Sequence, residues 1–229
     1  MRGLAGALLT CAALAGAGCG GSDTVKPAPL TDLKPSIKTR VAWRASVGEA
    51  APYLFAPALH AGALYAASHE GNLARFDAGS GKAAWRVDTQ ERLSGGVGVD
   101  AGMVLVGSEK GVVQAYGLDG KLLWSATLTS EILSPPRAAD GIVVVRTADG
   151  RITGLDAANG QRKWEHQFSL PPLLLRADSG VTIERNLVLA GLPGGRLLAL
   201  NLANGNSVWE TLIAQPKGAN EIERITDIG

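Results

Sequence analysis

The sequence predicts an all-β fold, a β-propeller of four-stranded blades, and three observations predict it. Trp43, Trp85, Trp124, Trp164 and Trp209 recur at intervals of 39 to 45 residues. Each of the last four closes the same phrase, as in Gly150–Trp164 (GRITGLDAANGQRKW): a Gly, an alternating strand, a turn ending in Gly, then a strand carrying the Trp. Gly71–Trp85, Gly111–Trp124 and Gly195–Trp209 repeat it. Asn159-Gly160 supplies the hairpin chemistry, because such a turn needs residues that tolerate positive φ. Strands alone, repeating at about 40 residues, are the pattern of propellers and β-solenoids.

The totals agree. Of 229 residues, 46% are hydrophobic and 30 are Gly, enough for a core and for many tight turns. With 22 basic and 21 acidic residues there is no basic field for nucleic acid. The two cysteines, Cys11 and Cys19, lie at the N-terminus, so no disulfide framework or zinc site of Cys ligands is available to the repeats. His60, His69 and His166 share no metal-ligand spacing, and His60 stands beside a Gly turn, where a turn role is expected.

Taken in order, Met1–Gly18 has one charge, Arg2, and then an apolar run rich in Leu, Ala and Gly. It is too short to span a bilayer comfortably and has the form of a secretory signal. Gly16-Ala17-Gly18-Cys19 is similar to a lipobox, in which cleavage before the Cys exposes a thiol that carries lipid. Gly16 stands where a lipobox usually has Leu. Cys19 is therefore expected to be lipidated, the alternative being cleavage to a soluble protein. Residues 19–38 include Pro27, Pro29 and Pro35, have no hydrophobic period, and read as a flexible tether.

Residues 39–229 hold the repeats. Trp43 lacks the preceding hairpin and reads as a lone outer strand of the kind that closes a ring. The first repeat is expected to form strands at Tyr53–Ala58, Ala63–Ala67, Asn72–Phe76 and Lys82–Val87, and the second at Gly95–Val99, Met103–Gly107, Val112–Tyr116 and Lys121–Ala126. The third is expected at Ser134–Ala138, Ile142–Arg146, Arg151–Leu155 and Gln161–Phe168, and the fourth at Gly180–Ile183, Leu187–Ala190, Arg196–Leu200 and Asn206–Leu212. Gly62, Gly102 and Gly141 mark the first hairpin turns, and Arg185-Asn186 takes that place in the fourth repeat. A further repeat begins after Trp209, so the propeller reads as incomplete.

Departures from a repeat are where function is expected. Ser94 follows Trp85 by 9 residues and Ser134 follows Trp124 by 10, but Arg176 follows Trp164 by 12 and Asp227 follows Trp209 by 18. The connector Ser169–Ser179 places Leu173, Leu174, Leu175 and Arg176 after Pro171 and Pro172. Leucines beside an Arg on a loop suit an interface anchor. The residues alone equally allow Leu173 and Leu175 to enter the core.

The repeat, exemplified by Asp156–Trp164, resembles that of the quinoprotein-type propellers. Together with the lipoprotein-like start, the motifs Leu173–Arg176 and Glu221–Asp227 resemble the BamB family within them, the lipoprotein subunits of the machine that inserts β-barrels into the bacterial outer membrane. That resemblance implies an eight-bladed ring, of which about four blades are present here. It also implies a lipid-anchored, non-enzymatic scaffold at the periplasmic face of the outer membrane, with no cofactor. Its partner would be the periplasmic (POTRA) domains of BamA, bound through Leu173, Leu175, Arg176 and Asp227. The last two head successive inner strands on one face, where they are expected to pair. Nascent β-barrel substrates, added to blade edges by β-augmentation, are a further partner class.

Two other functions compete. A quinone-dependent dehydrogenase needs a carboxylate base and a calcium held by about six to eight oxygens. Here Asp77, Asp119 and Asp156 lie singly in turns and are expected to serve the hairpins. A ligand-binding or sensor propeller needs polar groups converging on the channel. The inner strands are mostly small and apolar, with Arg137 the exception.

Overall fold

The computed structural model describes residues 37, 39–171 and 179–215, and among these the only regular elements are strands. They pair into four antiparallel four-stranded sheets, each in sequence order. Blade 1 is β1 (Ala58–His60), β2 (Ala63–Ala67), β3 (Asn72–Asp77) and β4 (Ala83–Asp88). Blade 2 is β5 (Leu93–Asp100), β6 (Met103–Ser108), β7 (Val112–Gly117) and β8 (Leu122–Thr127). Blade 3 is β9 (Arg137–Ala139), β10 (Ile142–Thr147), β11 (Arg151–Asp156) and β12 (Arg162–Gln167). Blade 4 is β13 (Val181–Glu184), β14 (Leu187–Leu192), β15 (Arg196–Asn201) and β16 (Ser207–Leu212).

The second strand is buried on both faces in blades 2 and 3, and β10 accordingly reads Ile-Val-Val-Val without alternation. Ile142 and Val144 pack toward blade 4 with Val181, Val188 and Leu200, while Val143 and Val145 pack toward blade 2 with Leu105, Val113 and Trp124. Each such side chain contributes about 1.5–3 kcal/mol. Blades 1 and 2 share a third cluster around Tyr65, Leu73, Val104 and Val106.

The first hairpin turn of each blade has positive φ at both central residues: Ala61-Gly62, Ala101-Gly102, Asp140-Gly141 and Arg185-Asn186. This is the turn whose twist matches the strands it joins. A Cβ on Gly62, Gly102 or Gly141 would meet nothing within 4 Å, so these glycines serve φ alone. Asn186, at φ 64°, does the same work in blade 4.

The turn before the outer strand is held by an acidic or amide side chain. Asp77 Oδ1 accepts from Ser80 N at 2.8 Å, Asp156 Oδ1 from Ala158 N at 2.9 Å, and Asn201 Oδ1 from Ala203 N at 3.0 Å. In blade 2, Asp119 Oδ1 accepts from Lys121 N at 3.1 Å. A bulge then precedes every blade tryptophan: Ala84, Leu123, Lys163 and Val208 have no partner in the ladder. A bulge re-aims the next side chain, and here that side chain is the indole.

The indoles of blades 1 to 3 each dock on the following blade. Trp85 Nε1 donates to Leu118 O at 2.9 Å, Trp124 Nε1 to Ala157 O at 2.8 Å and Trp164 Nε1 to Leu202 O at 2.8 Å. The ring lies against the Gly that ends the turn. A Cβ on Gly120 would be 2.9 Å from Trp85 Cδ2, and one on Gly160 would be 2.6 Å from Trp124 Cε3. Only Gly admits so close a ring.

Two expectations need correction. Trp43 lies on no strand, since residues 39–50 form none. Its indole nevertheless docks on blade 1, donating to Ala78 O at 2.9 Å and stacking with Phe76. An outer strand forms only beside the third strand of its own blade, and the described residues supply none for Trp43. The first inner strand is Ala58–His60 rather than Tyr53–Ala58, and the third blade's is Arg137–Ala139 rather than Ser134–Ala138. Pro57, and Pro135 with Pro136, carry no N–H to give the ladder, so each strand starts after them.

Candidate functional site

The two ends of the blades are built differently. The docking turns and the first hairpins meet at one end, where Ala78 N donates to Gly62 O, Ala157 N to Gly141 O and Leu202 N to Asn186 O. The connectors between blades meet the turns between second and third strands at the other. There Thr89 N donates to Gly71 O, Leu128 N to Gly111 O, Phe168 N to Gly150 O and Ile213 N to Gly195 O, each at 2.9 Å.

The connectors lengthen along the chain, from 89–92 to 128–136 to 168–180. The third is the one that carries Leu173, Leu175 and Arg176. Those three residues, Asp227 and Cys19 lie outside the described residues, as does the expected Arg176–Asp227 pair. The roots of the third connector are described. Phe168 is buried and Leu170 packs beside it against the core between blades 3 and 4. On the return, Ser179 receives Arg146, whose Nη1 donates to Ser179 O at 3.0 Å, Ser179 Oγ at 2.6 Å and Gly191 O at 2.8 Å.

Toward blade 1 the same end carries a polar cluster that sequence reading did not single out. The Tyr53 hydroxyl lies 2.6 Å from Glu109 Oε1 and 2.9 Å from Glu131 Oε1, joining three segments far apart in sequence. His69 stacks near Tyr53, with ring centroids 5.1 Å apart. Its Nδ1 is 2.9 Å from Leu93 O, which only accepts, and its Nε2 is 3.3 Å from Arg92 Nη1, which only donates. Since a carbonyl oxygen only accepts, Nδ1 donates to Leu93 O, and Nε2 also lies 3.7 Å from Glu109 Oε1. The signal for this cluster was available: Tyr53 and Glu131 fall in connectors and Glu109 in a turn, all at the end where repeats vary.

In blade 3, burial pushes the Asp149 carboxyl up, and hydrogen bonds from Thr147 and Thr129 with the Arg151 charge more than offset it, holding it below the usual range. Thr147 Oγ1 and Thr129 Oγ1 donate to Asp149 at 2.6 and 2.7 Å. At the docking end, Arg137 is tied to Asp100 of the neighbouring inner strand at 2.7 and 3.3 Å, which gives it a structural role between blades 2 and 3.

A family model described as outer membrane protein assembly factor BamB matches residues 69–229, most of the described blades. The chain belongs to the BamB family. It is 46% identical over 186 residues to the outer membrane protein assembly factor BamB of Nitrosomonas eutropha, covering 81% of this chain and 46% of the relative. It is 40% identical over 227 residues to that of Bordetella pertussis, covering 97% and 59%. The crystal structure of BamB from Moraxella catarrhalis superposes with a TM-score of 0.71 at 27% identity, covering 82% of this chain and 57% of that one. The chain thus spans about half the length of these BamB relatives. A quinohemoprotein alcohol dehydrogenase from Pseudomonas putida, at 20% identity and a TM-score of 0.57, shares the fold.

Proposed function

We propose that this chain is part of a non-enzymatic scaffold of the outer-membrane β-barrel assembly machinery. It acts at the periplasmic face of the outer membrane and binds the periplasmic POTRA domains of BamA. The observation that carries the reading is the similarity to assembly factors across the blades, joined to one long connector at the end where the repeats differ. Leu173, Leu175 and Arg176 on that connector, and Asp227 on the next, make the contact. Lipid on Cys19 holds the domain near the membrane through the tether of residues 19–38.

A scaffold role also suits the acids. Asp77, Asp119 and Asp156, the carboxylates a quinone enzyme would draw on, are each engaged by the amides of their own turns. Among the described residues, the flank of each outer strand that faces away from its sheet carries no ladder partner in β4, β8, β12 and β16. Such flanks suit β-augmentation by nascent barrel strands.

The test is a titration of purified POTRA domains against the full-length protein and its Arg176→Ala variant, with circular dichroism showing both folded. Loss of at least about tenfold in affinity is expected for an interface arginine. Equal binding by the two proteins would move the contact off this connector. Non-additivity of Arg176→Ala and Asp227→Ala in binding tests their pairing. Palmitate labelling that persists in Cys19→Ser would end the anchor assignment.

A further inference from the structure

One outer strand differs from the other three. β4 reads Ala-Ala-Trp-Arg-Val-Asp, β12 Arg-Lys-Trp-Glu-His-Gln and β16 Ser-Val-Trp-Glu-Thr-Leu, so each carries at least one charged residue. β8 reads Leu-Leu-Trp-Ser-Ala-Thr and carries none. Leu122 and Leu123, at its start, are each 53% exposed. Charged side chains on an edge strand guard it against pairing with another chain, and β8 lacks that guard.

The edge presents backbone groups at definite positions. Leu128 N donates to Gly111 O within blade 2. Amides alternate in direction along a strand, so those of Ala126 and Leu128 point toward β7 and those of Ser125 and Thr127 point away from it. Neither outward amide has a ladder partner among the described residues. Side chains alternate as well. Trp124, Ala126 and Leu128 belong to the core between blades 2 and 3, while Ser125 and Thr127 are exposed. A strand added here meets one apolar row and one polar row.

The apolar row opens on a cavity. Two residues after each blade tryptophan stand Val87, Ala126, His166 and Thr211, of which Ala126 is the smallest. Beside it lies a cavity of about 310 Å³ between blades 2 and 3, lined by Ala126 and Leu128 on one side and by Leu155, Arg162 and Glu165 on the other. The two charges of that wall are paired with each other, Arg162 Nη1 donating to Glu165 Oε2 at 3.1 Å. A cavity of this make-up beside a strand edge takes an apolar side chain from an added strand, since in strand addition the main chain supplies affinity and pockets for alternate side chains supply specificity.

We propose that β8 is the edge that captures a nascent barrel strand: the outward groups of Ser125 and Thr127 pair with its backbone, and one of its apolar side chains enters the cavity beside Ala126. This rests on the reading of the protein as a scaffold that handles barrel strands. Such strands alternate apolar and polar side chains, the pattern that the two rows of β8 accept. A second copy of this chain fits less well. Were β8 paired with β8, the second copy's own apolar row would already be turned into its own core, and nothing would fill the cavity.

The probe is a peptide of about ten residues, the length of a transmembrane strand, alternating Leu and Thr. Its control has the same composition with the leucines in one block and the threonines in another. Binding to the full-length protein is followed by fluorescence anisotropy. The alternating peptide binds at least about fivefold more tightly, because only alternation keeps Thr out of the cavity. Ser125→Pro removes an outward amide that the sheet does not use, and weakens binding at least about fivefold, the worth of one hydrogen bond. Thr127→Lys places a charge on the edge and weakens it too. Glu210→Pro, at the same position of β16, leaves it unchanged. Amide exchange at Ser125 and Thr127 in the unaltered protein slows when peptide is bound, a readout that needs no variant to fold. Unslowed exchange, equal binding of the two peptides, unchanged affinity in folded Ser125→Pro and Thr127→Lys, or an equal fall in Glu210→Pro each overturns the assignment to β8. Dimers of the unaltered protein that Ser125→Pro dissolves overturn it as well, by making a second copy the occupant. Failure of the unaltered protein to bind the alternating peptide at all defeats the strand-handling reading itself.

Discussion

At the docking end of the blades one contact recurs: indole to carbonyl, ring on glycine, carboxylate or amide on turn. At the connector end the solutions differ: Tyr53 meets Glu109 and Glu131, Ile132 packs on Gly107, and Arg146 donates to Ser179 and Gly191. Both ends are closed by hydrogen bonds and buried side chains, so the difference is one of repetition. Repeated contacts hold neighbouring blades in register. Those made once are where a propeller can be fitted to a partner without disturbing its seams.

The strongest test compares one seam with one junction. Trp124→Ala removes a buried ring and its hydrogen bond, and a loss of about 3–5 kcal/mol in urea unfolding is expected. Tyr53→Phe removes one hydroxyl at the other end and should cost about 1 kcal/mol. Equal losses would erase the distinction between the ends.

Next come two glycines with the same backbone and different surroundings. Gly141 and Gly160 have φ of 76° and 74°. Gly141→Ala adds only left-handed strain, about 1 kcal/mol. Gly160→Ala must also displace the Trp124 ring, and about 2–4 kcal/mol is expected. If the two melt alike, the ring is not seated as described.

Smaller still is a gain. Arg185, at φ 47°, bears left-handed strain in the one first-hairpin turn without a glycine. Arg185→Gly should stabilise by about 0.5 kcal/mol, the strain relieved less the added freedom of the unfolded chain. A destabilised variant would assign the side chain a role its exposure does not suggest.

The smallest effect is in pH. The Ala158 amide and then Lys163 hold the Asp156 carboxyl below its ordinary value of 3.8. A lowered folded value means the contribution is present above 3.8 and is lost as pH falls through the folded value. Asp156→Asn keeps the amide contact, as Asn201 does in blade 4, but does not titrate. The difference in urea midpoint between wild type and Asp156→Asn should therefore shrink from pH 7 to pH 2. A constant difference would remove the carboxylate from the turn.

The docking end was legible in the sequence because it is written four times. Gly, Asp and Trp at fixed spacing gave the strands after each first hairpin to within a residue or two. Legibility failed where proline sits beside an inner strand, at Pro57 and at Pro135-Pro136, because the strand-like pattern runs on through residues that have no N–H to give the ladder. Reading insertions as the sign of function found the third connector, but it passed over Arg146, a substitution inside a regular strand. The bulge before each tryptophan leaves no mark in composition, yet it is what turns the indole toward its neighbour.

Four of the five indoles reach forward. Trp43, Trp85, Trp124 and Trp164 find their carbonyls 35, 33, 33 and 38 residues later in the chain. For a polypeptide emerging N-terminus first, from a ribosome or a translocation pore, each seam waits for a segment that arrives next. Assembly is then vectorial: a blade just emerged holds its tryptophan open until its successor supplies the turn. The newest edge is always the unfinished one, and the growing protein carries a single exposed indole at its leading seam.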